Sequence, residues 1–407
     1  MQEQNTPEPL SISAYTLANA LGAGREENLQ ALRRGARGLV PIHTLGLDLP
    51  GYVGVVPNVD DVILPPGMIQ FDCRNHRLAE MALRDSAFLA AVARAREQYG
   101  KDRVGVFVGT STSGIAETEQ AYRQGARQGS RDGKSPLPPY NYACTHSLGA
   151  LAEYVGLRLD LAGPAHTTST ACSSSAKVFG VAQRFIAAGF CDAAVVGGVD
   201  SLCETTLRGF GSLQLLSEYP ATPWGRDRSG ISIGEAAGFA LLEPLSTADD
   251  AARTCLLGVG ESADAHHMSA PHPQGDGASS AILLALEQAG CRPASIDYIN
   301  LHGTGTPAND LAEDKAVSRI FGEAPWCSST KGATGHTLGA AGITEALFCC
   351  IAREEGMIPG GGTGVPLDPE LEVRYATEGF GHPLRHLVSL SLGFGGSNCC
   401  LVMGEPA

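Results

Sequence analysis

AHTTSTACSSSAKVFGVAQRFIAAG (165–189) starts with β-branched, extended residues and changes to helical spacing from about Cys172 onward. A cysteine at such a strand-to-helix join sits in the first turn, where the partial positive charge of the helix terminus reaches it. That position lowers a thiol pKa from ~8.5 toward ~3.5–7.5 and supplies thiolate near neutrality. The small neighbours Ala171, Ser173, Ser174 and Ser175 leave room for a substrate chain to approach the sulfur. A buried structural cysteine fits the same pattern, because cysteine is among the most buried residue types. Read alone, the segment leaves both possibilities open.

The surrounding chain alternates strands and helices. VGVFVGTST (104–112) and DAAVVGGVDS (192–201) read as buried strands, and GISIGEAAGFALLEP (230–244) as a pair of strand segments. The pattern then repeats. TCLLGVGESAD (254–264) is a strand, SSAILLALEQAG (279–290) a helix with a glycine stop, and IDYINLHG (296–303) a buried strand. LAEDKAVSRIFG (311–322) and LGAAGITEALFCCIAREEG (338–356) are helices, and LVSLSLGFGGSNCCLVM (387–403) a terminal hairpin. IPGGGTGVPLDPE (358–370) is rich in glycine and proline and is expected as a surface loop. Repeated strand–helix alternation predicts an α/β fold with helices covering central sheets. The 407 residues exceed the ~250–300 at which a single core stops growing. Two halves are therefore expected, 1–250 and 251–407.

The net charge of −14 disfavours nucleic acid and anionic membrane as partners. No stretch approaches the ~18 apolar residues of a membrane span, and MQEQNTPEPL lacks the features of a secretory signal. The twelve cysteines have no CxxC spacing, so reduced thiols in a cytoplasmic protein are expected.

Three more segments offer chemistry. In NLHGTGTPAND (300–310), His302 leaves a buried strand into a Gly/Thr loop, with Glu313 one turn beyond. A histidine there either faces a cavity or is a satisfied core residue. SSTKGATGHTLGAAG (328–342) puts Lys331 and His336 five residues apart on a glycine-rich loop leading into a helix. LGFGGSN (392–398) permits a tight turn whose N–H groups point into a site, although many such turns are only turns. HHMSAPH (266–272) resembles a metal motif superficially, but no carboxylate or cysteine ligands cluster with it. It reads as an entrance loop, with no metal expected. Arg123, Arg127, Arg131 and Lys134 form a sparse basic run that serves either as a docking surface or as a solvated loop.

Taken together, TACSSSA, HGTGTPAND with Glu313, KGATGHTLGAAG and GFGGSN resemble, in order, the motifs of β-ketoacyl-acyl carrier protein synthases of types I and II and of polyketide ketosynthases. The resemblance spans about residues 10–403. It implies the thiolase fold, a five-layered α-β-α-β-α sandwich of two pseudo-symmetric halves, normally dimeric. Departures exist: LSISAYTLANALG alters the expected first strand, Gly225 and Ser229 replace aspartates, Ala236 replaces glycine, and SLSLGFGGSN replaces NSFGFGGTN. They suggest a specialised branch, aryl polyene or polyketide synthesis, rather than housekeeping fatty acid elongation.

The resemblance also implies the roles. Cys172 is the nucleophile, His302 and His336 stabilise the malonyl-derived enolate, and backbone N–H groups of Cys172 and Phe394 form the oxyanion hole. Phe394 also gates the cavity. Lys331 adds positive potential near His336, Glu313 holds Lys331 and its loop, and Thr304 and Thr306 bind the phosphopantetheine arm. No cofactor is implied, since the substrates ride on the phosphopantetheine of acyl carrier protein. The partners implied are that carrier, docked through Arg127, Arg131 and Lys134, and a second subunit, identical or a paralogue. The rivals are a thiolase, which needs a second catalytic cysteine, an initiating synthase, which pairs His with Asn, and a non-catalytic chain-length-factor-like subunit.

Overall fold

The computed structural model describes residues 7–127, 140–245, 253–362 and 364–406. Five strands come from the first part of the chain: β1 (Leu10–Asn19), β2 (Val104–Gly109), β3 (Ala165–Thr168), β4 (Ala193–Asp200) and β5 (Ala236–Pro244). Five more follow: β6 (Cys255–Ala263), β7 (Tyr298–Asn300), β8 (Trp326–Ser328), β9 (His386–Gly393) and β10 (Ser397–Gly404). The first set runs β3-β2-β4-β5-β1 and the second β8-β7-β9-β10-β6. In each set the first two pairings are parallel and the last two antiparallel, so the second set repeats the first. The sets meet edge to edge where Leu10 and Ser11 of β1 pair with Leu256 and Cys255 of β6.

The parallel strands read as unbroken apolar runs because both faces are covered; every residue of β2 and β4 is buried. Outside the first set lie α1 (Arg74–Leu83), α2 (Ser86–Tyr99) and α3 (Gly149–Leu159). Between the sets run α4 (Ser174–Ala187) and, beyond the short α5 (Glu204–Ser212), a later helix described below. The outer cover of the second set includes α6 (Asp276–Ala289) and α7 (Pro307–Phe321). The last helix, α8 (Ala341–Glu355), packs on α4, and these two touch strands of both sets, which makes them the middle of five layers. All residues from Ala341 to Ala352 are buried, as expected of a helix apolar all round.

LSISAYTLAN forms the first strand with its departures in place: β1 keeps ten residues and pairs along β5, with an irregularity between Ile12 and Ala14. One expectation changes. The segment 358–370 starts inside the protein, with Ile358 paired to Phe380 and buried, and only its later part is surface. No helix among the described residues is long and apolar enough to cross a membrane.

Candidate active site

Cys172 lies between β3 and α4, where the backbone turns sharply and Ala171 is held at φ +52°. That left-handed conformation strains an alanine by ~1–2 kcal/mol and sets the sulfur outward from the join. The helix itself starts at Ser174, two residues later than the sequence spacing predicts, with Ser173 before it. The expected lowering of the thiol pKa is also reversed: burial, the largest influence, pushes Cys172 up to about 11. Lys331 and the Phe394 N–H act in the opposite direction without overcoming it.

His302 follows β7 and His336 precedes α8, so both imidazoles arrive from the second strand set. His336 Nε2 is 3.0 Å from Cys172 Sγ. The two rings meet edge to face with centroids 5.1 Å apart. The sulfur and a ring nitrogen of each histidine lie within 4.8 Å of one another. The tautomers follow from the other ring nitrogens. Leu338 N–H donates to His336 Nδ1 at 3.3 Å, and Lys331 Nζ is 3.3 Å from His302 Nδ1. A neutral imidazole accepting at Nδ1 carries its proton on Nε2. Burial first, then the charge of Lys331, holds both histidines well below their ordinary pKa, which keeps them neutral. The site thus holds two neutral N–H donors beside one sulfur. A Cys/His/His set can ligate zinc, but the Lys331 ammonium against His302 opposes a divalent cation here.

Glu313 accepts from His302 N at 2.5 Å and from Gly303 N at 2.8 Å, fixing the turn that presents the imidazole. Its link to Lys331 is a longer-range attraction of charge rather than a hydrogen bond. That lysine pairs with Glu345 of α8, both side chains almost fully buried, and its nearest histidine is His302 rather than His336. Burial raises the Glu313 carboxyl to about 8, and raises Glu345 to about 7 against the pull of Lys331.

Two cavities share the sulfur. One, of about 470 Å³, is walled by Ser111, Thr112, Phe210, Leu213, Leu338 and Phe394. The other, of about 330 Å³, contains both histidines, Thr304 and Thr306, with His267, Ser269 and Pro271 of the anticipated entrance loop on its rim. Phe394 stands between them, its N–H bonded to the Cys172 sulfur and its ring 5.4 Å from that of Phe210. The following Gly395 and Gly396 have φ of +78° and +76°. Gly395 N–H donates to Met268 O at 2.8 Å, and Asp264 N–H to Gly396 O at 2.9 Å, so this turn is tied to the entrance loop.

Of the basic run, Arg123 pairs with Glu119 and Glu204. Arg127 ends the helix Ile115–Arg127, while Arg131 and Lys134 lie outside the described residues. Sequence reasoning overlooked Glu345 and Asp200. Each is a lone acid in a largely apolar run, ITEALF (343–348) for the first and the end of AAVVGGVD (193–200) for the second, and that isolation is the signal available.

Comparison with known proteins agrees with this geometry. Residues 71–248 match the N-terminal domain of β-ketoacyl synthases and residues 254–375 their C-terminal domain. The chain is 33% identical over 314 residues to 3-oxoacyl-[acyl-carrier-protein] synthase 2 of Staphylococcus aureus, covering 74% of this chain and 77% of the relative. The protein of the same name from Rhizobium meliloti (strain 1021) is 34% identical over 345 residues, covering 80% and 78%. Among solved structures, a chain of the ketosynthase (ApeO) in complex with its chain length factor (ApeC) from Xenorhabdus doucetiae superposes with a TM-score of 0.88 at 37% identity, covering 100% of both chains. The ishigamide ketosynthase/chain length factor gives 0.87 at 28% identity, over 98% of this chain and 100% of that one. With its thiolase-like layers and its buried Cys/His/His centre, this chain belongs to the β-ketoacyl synthase family of condensing acyltransferases.

Proposed function

We propose that the chain is a 3-oxoacyl-[acyl carrier protein] synthase that joins an acyl thioester to a malonyl thioester, both carried on the phosphopantetheine of acyl carrier protein. One observation carries the reading: a single buried sulfur, 3.0 Å from an imidazole Nε2, is shared by two differently lined cavities, to which we assign the acyl chain and the extender unit. Cys172 attacks the acyl carbonyl, and its proton passes to the departing pantetheine thiol. The acyl chain then occupies the cavity walled by Thr112, Phe210 and Leu338.

The malonyl thioester enters past Thr304 and Thr306 and loses CO₂. His302 and His336 donate their Nε2–H protons as hydrogen bonds to the resulting enolate oxygen. The enolate carbon attacks the acyl-Cys172 carbonyl, whose oxyanion is held by the N–H groups of Cys172 and Phe394. Collapse releases the 3-oxoacyl product and returns the Cys172 thiolate. Lys331, held by Glu345, keeps His302 neutral with its proton on Nε2, and Glu313 fixes the turn behind it. CO₂ loss supplies the driving force, so the scheme uses no redox group or metal.

The division of labour follows the chain: residues 1–250 bring the nucleophile and 251–407 the imidazoles, a reading the repeated strand order supports. The sequence departures and the 37% identity over complete chains favour a specialised aryl polyene or polyketide branch. The second subunit is a copy of this chain or a ketosynthase-like paralogue. Arg127, Arg131 and Lys134 are proposed as the dock for the acidic carrier, on the sign of their charge. A thiol that must stay reduced suits the cytoplasm. The presence of Cys172 weighs against a purely structural chain-length-factor role. Purified protein treated with iodoacetamide is expected to carry its inactivating adduct on Cys172, and Cys172→Ala to lose at least about 10³-fold in condensation. An adduct elsewhere, or an active Cys172→Ala, refutes the reading.

A further inference from the structure

The geometry points to Asp200 as a positioning residue that clamps the wall of the acyl cavity to the loop carrying His336. This inference rests on the condensation reading above. Asp200 ends β4 and is fully buried, beneath the site and outside both cavities. One carboxylate oxygen accepts from Thr110 Oγ1 at 2.7 Å, Ser111 N at 2.8 Å, Thr112 N at 2.9 Å and Thr112 Oγ1 at 3.0 Å. The other accepts from Gly339 N at 2.6 Å and from Ser111 Oγ. No cation pairs with it among the described residues.

A buried charge without a counterion persists only where several donors solvate it. Here the donors come from two separate loops. Ser111 and Thr112 are wall residues of the 470 Å³ cavity. Gly339 follows Leu338, which also lines that cavity and whose N–H sets the His336 tautomer. The packing leaves no slack: a Cβ placed on Gly339 falls 2.7 Å from Asp200 Oδ2. A second effect follows. The Ser111 and Thr112 hydroxyls are spent on the carboxylate, so they do not solvate or hold an acyl chain.

Only an acceptor on both oxygens can bind the two loops together. An amide turns one –NH₂ against N–H and O–H donors, which opens one side of the clamp. Misplacement of a reacting group by about 1 Å costs about 10²-fold in rate.

The test compares wild type with Asp200→Asn in condensation with acyl- and malonyl-carrier protein, following kcat, KM and product length on folded protein verified by circular dichroism. The variant is expected to lose about 10²-fold in kcat with a smaller change in KM, and to yield an altered product-length distribution. A role limited to stability lowers the yield of folded protein and leaves its product ratio unchanged. Folded Asp200→Asn with wild-type kcat and product lengths overturns the inference. If Asp200→Asn does not fold, Thr110→Val takes its place, because it removes a side-chain donor to the carboxylate at a residue that lines neither cavity. A changed product length then supports the clamp and an unchanged one overturns it. Wild type without condensation in the same assay sinks the proposed function instead, which keeps the two failures apart.

Discussion

Replacing Glu345 with leucine should destabilise the protein by about 3–5 kcal/mol, the cost of leaving a buried charge without its partner. Lys331 and Glu345 are 2% and 3% exposed, so water cannot replace the lost carboxylate without opening α8. The pair is not fully satisfied even in the native protein. Glu345 Oε2 has no hydrogen-bond partner among the described residues, and the neighbouring Lys331 also serves His302. Incompletely solvated ion pairs are the kind that well-packed apolar residues replace at little cost. The double variant Lys331→Met/Glu345→Leu is therefore expected to regain most of the stability lost by Glu345→Leu alone, although it loses activity. Urea unfolding of wild type, both single variants and the double variant gives a coupling energy from the cycle, expected at about 2 kcal/mol or more. Single effects that simply add within about 0.5 kcal/mol would show that the lysine does not depend on this carboxylate, and would refute the argument.

Cys172 alkylation by iodoacetamide should rise about tenfold per pH unit between pH 7 and 10, since thiolate is the reacting form and the thiol sits near 11. Lys331 pulls that pKa down, so Lys331→Met should move the profile to higher pH; a profile already flat above pH 8 contradicts the burial argument. Gly396→Ala should cost about 1–2 kcal/mol through its positive φ alone, with a Cβ only 2.8 Å from that of Asp264. A lowered Tm together with slower acyl loading of Cys172 is the expected result, and wild-type loading kinetics would show that the Phe394 turn is not coupled to the entrance loop.

Much of the centre could be read from the chain because its groups sit in short local motifs. Cys172, His302 and His336 each occupy a segment whose small residues make the turn that presents the side chain, so a window of about ten residues holds the relevant physics. The layered alternation was legible for the same reason. What escaped depends on distant partners. Asp200 acts on Ser111 and Gly339, separated from it by 89 and 139 positions, and Glu345 reaches Lys331 from the next turn of structure across a loop. Assigning Glu313 to Lys331 failed because the Glu313 oxygens are taken by the backbone N–H groups of His302 and Gly303, a use that spacing along the chain does not reveal. The thiol's raised pKa escaped because helix-terminus charge is a local property and burial is a global one. The two-residue delay of α4 traces to Ala171, whose left-handed φ no composition rule demands of an alanine.

The seam between the strand sets has a consequence for how the enzyme ages and evolves. The sulfur hangs from one strand set and the rings from the other, joined through the packed pair α4 and α8, the β1–β6 edge and the backbone bonds of His336 to Ser232 and Gly234. Any wear that slides one set against the other by a fraction of an ångström lengthens the Cys172–His336 separation while each sheet stays intact. Turnover is then a finer gauge of that alignment than melting or spectroscopy, and damaged or drifting sequences fall silent while still folded.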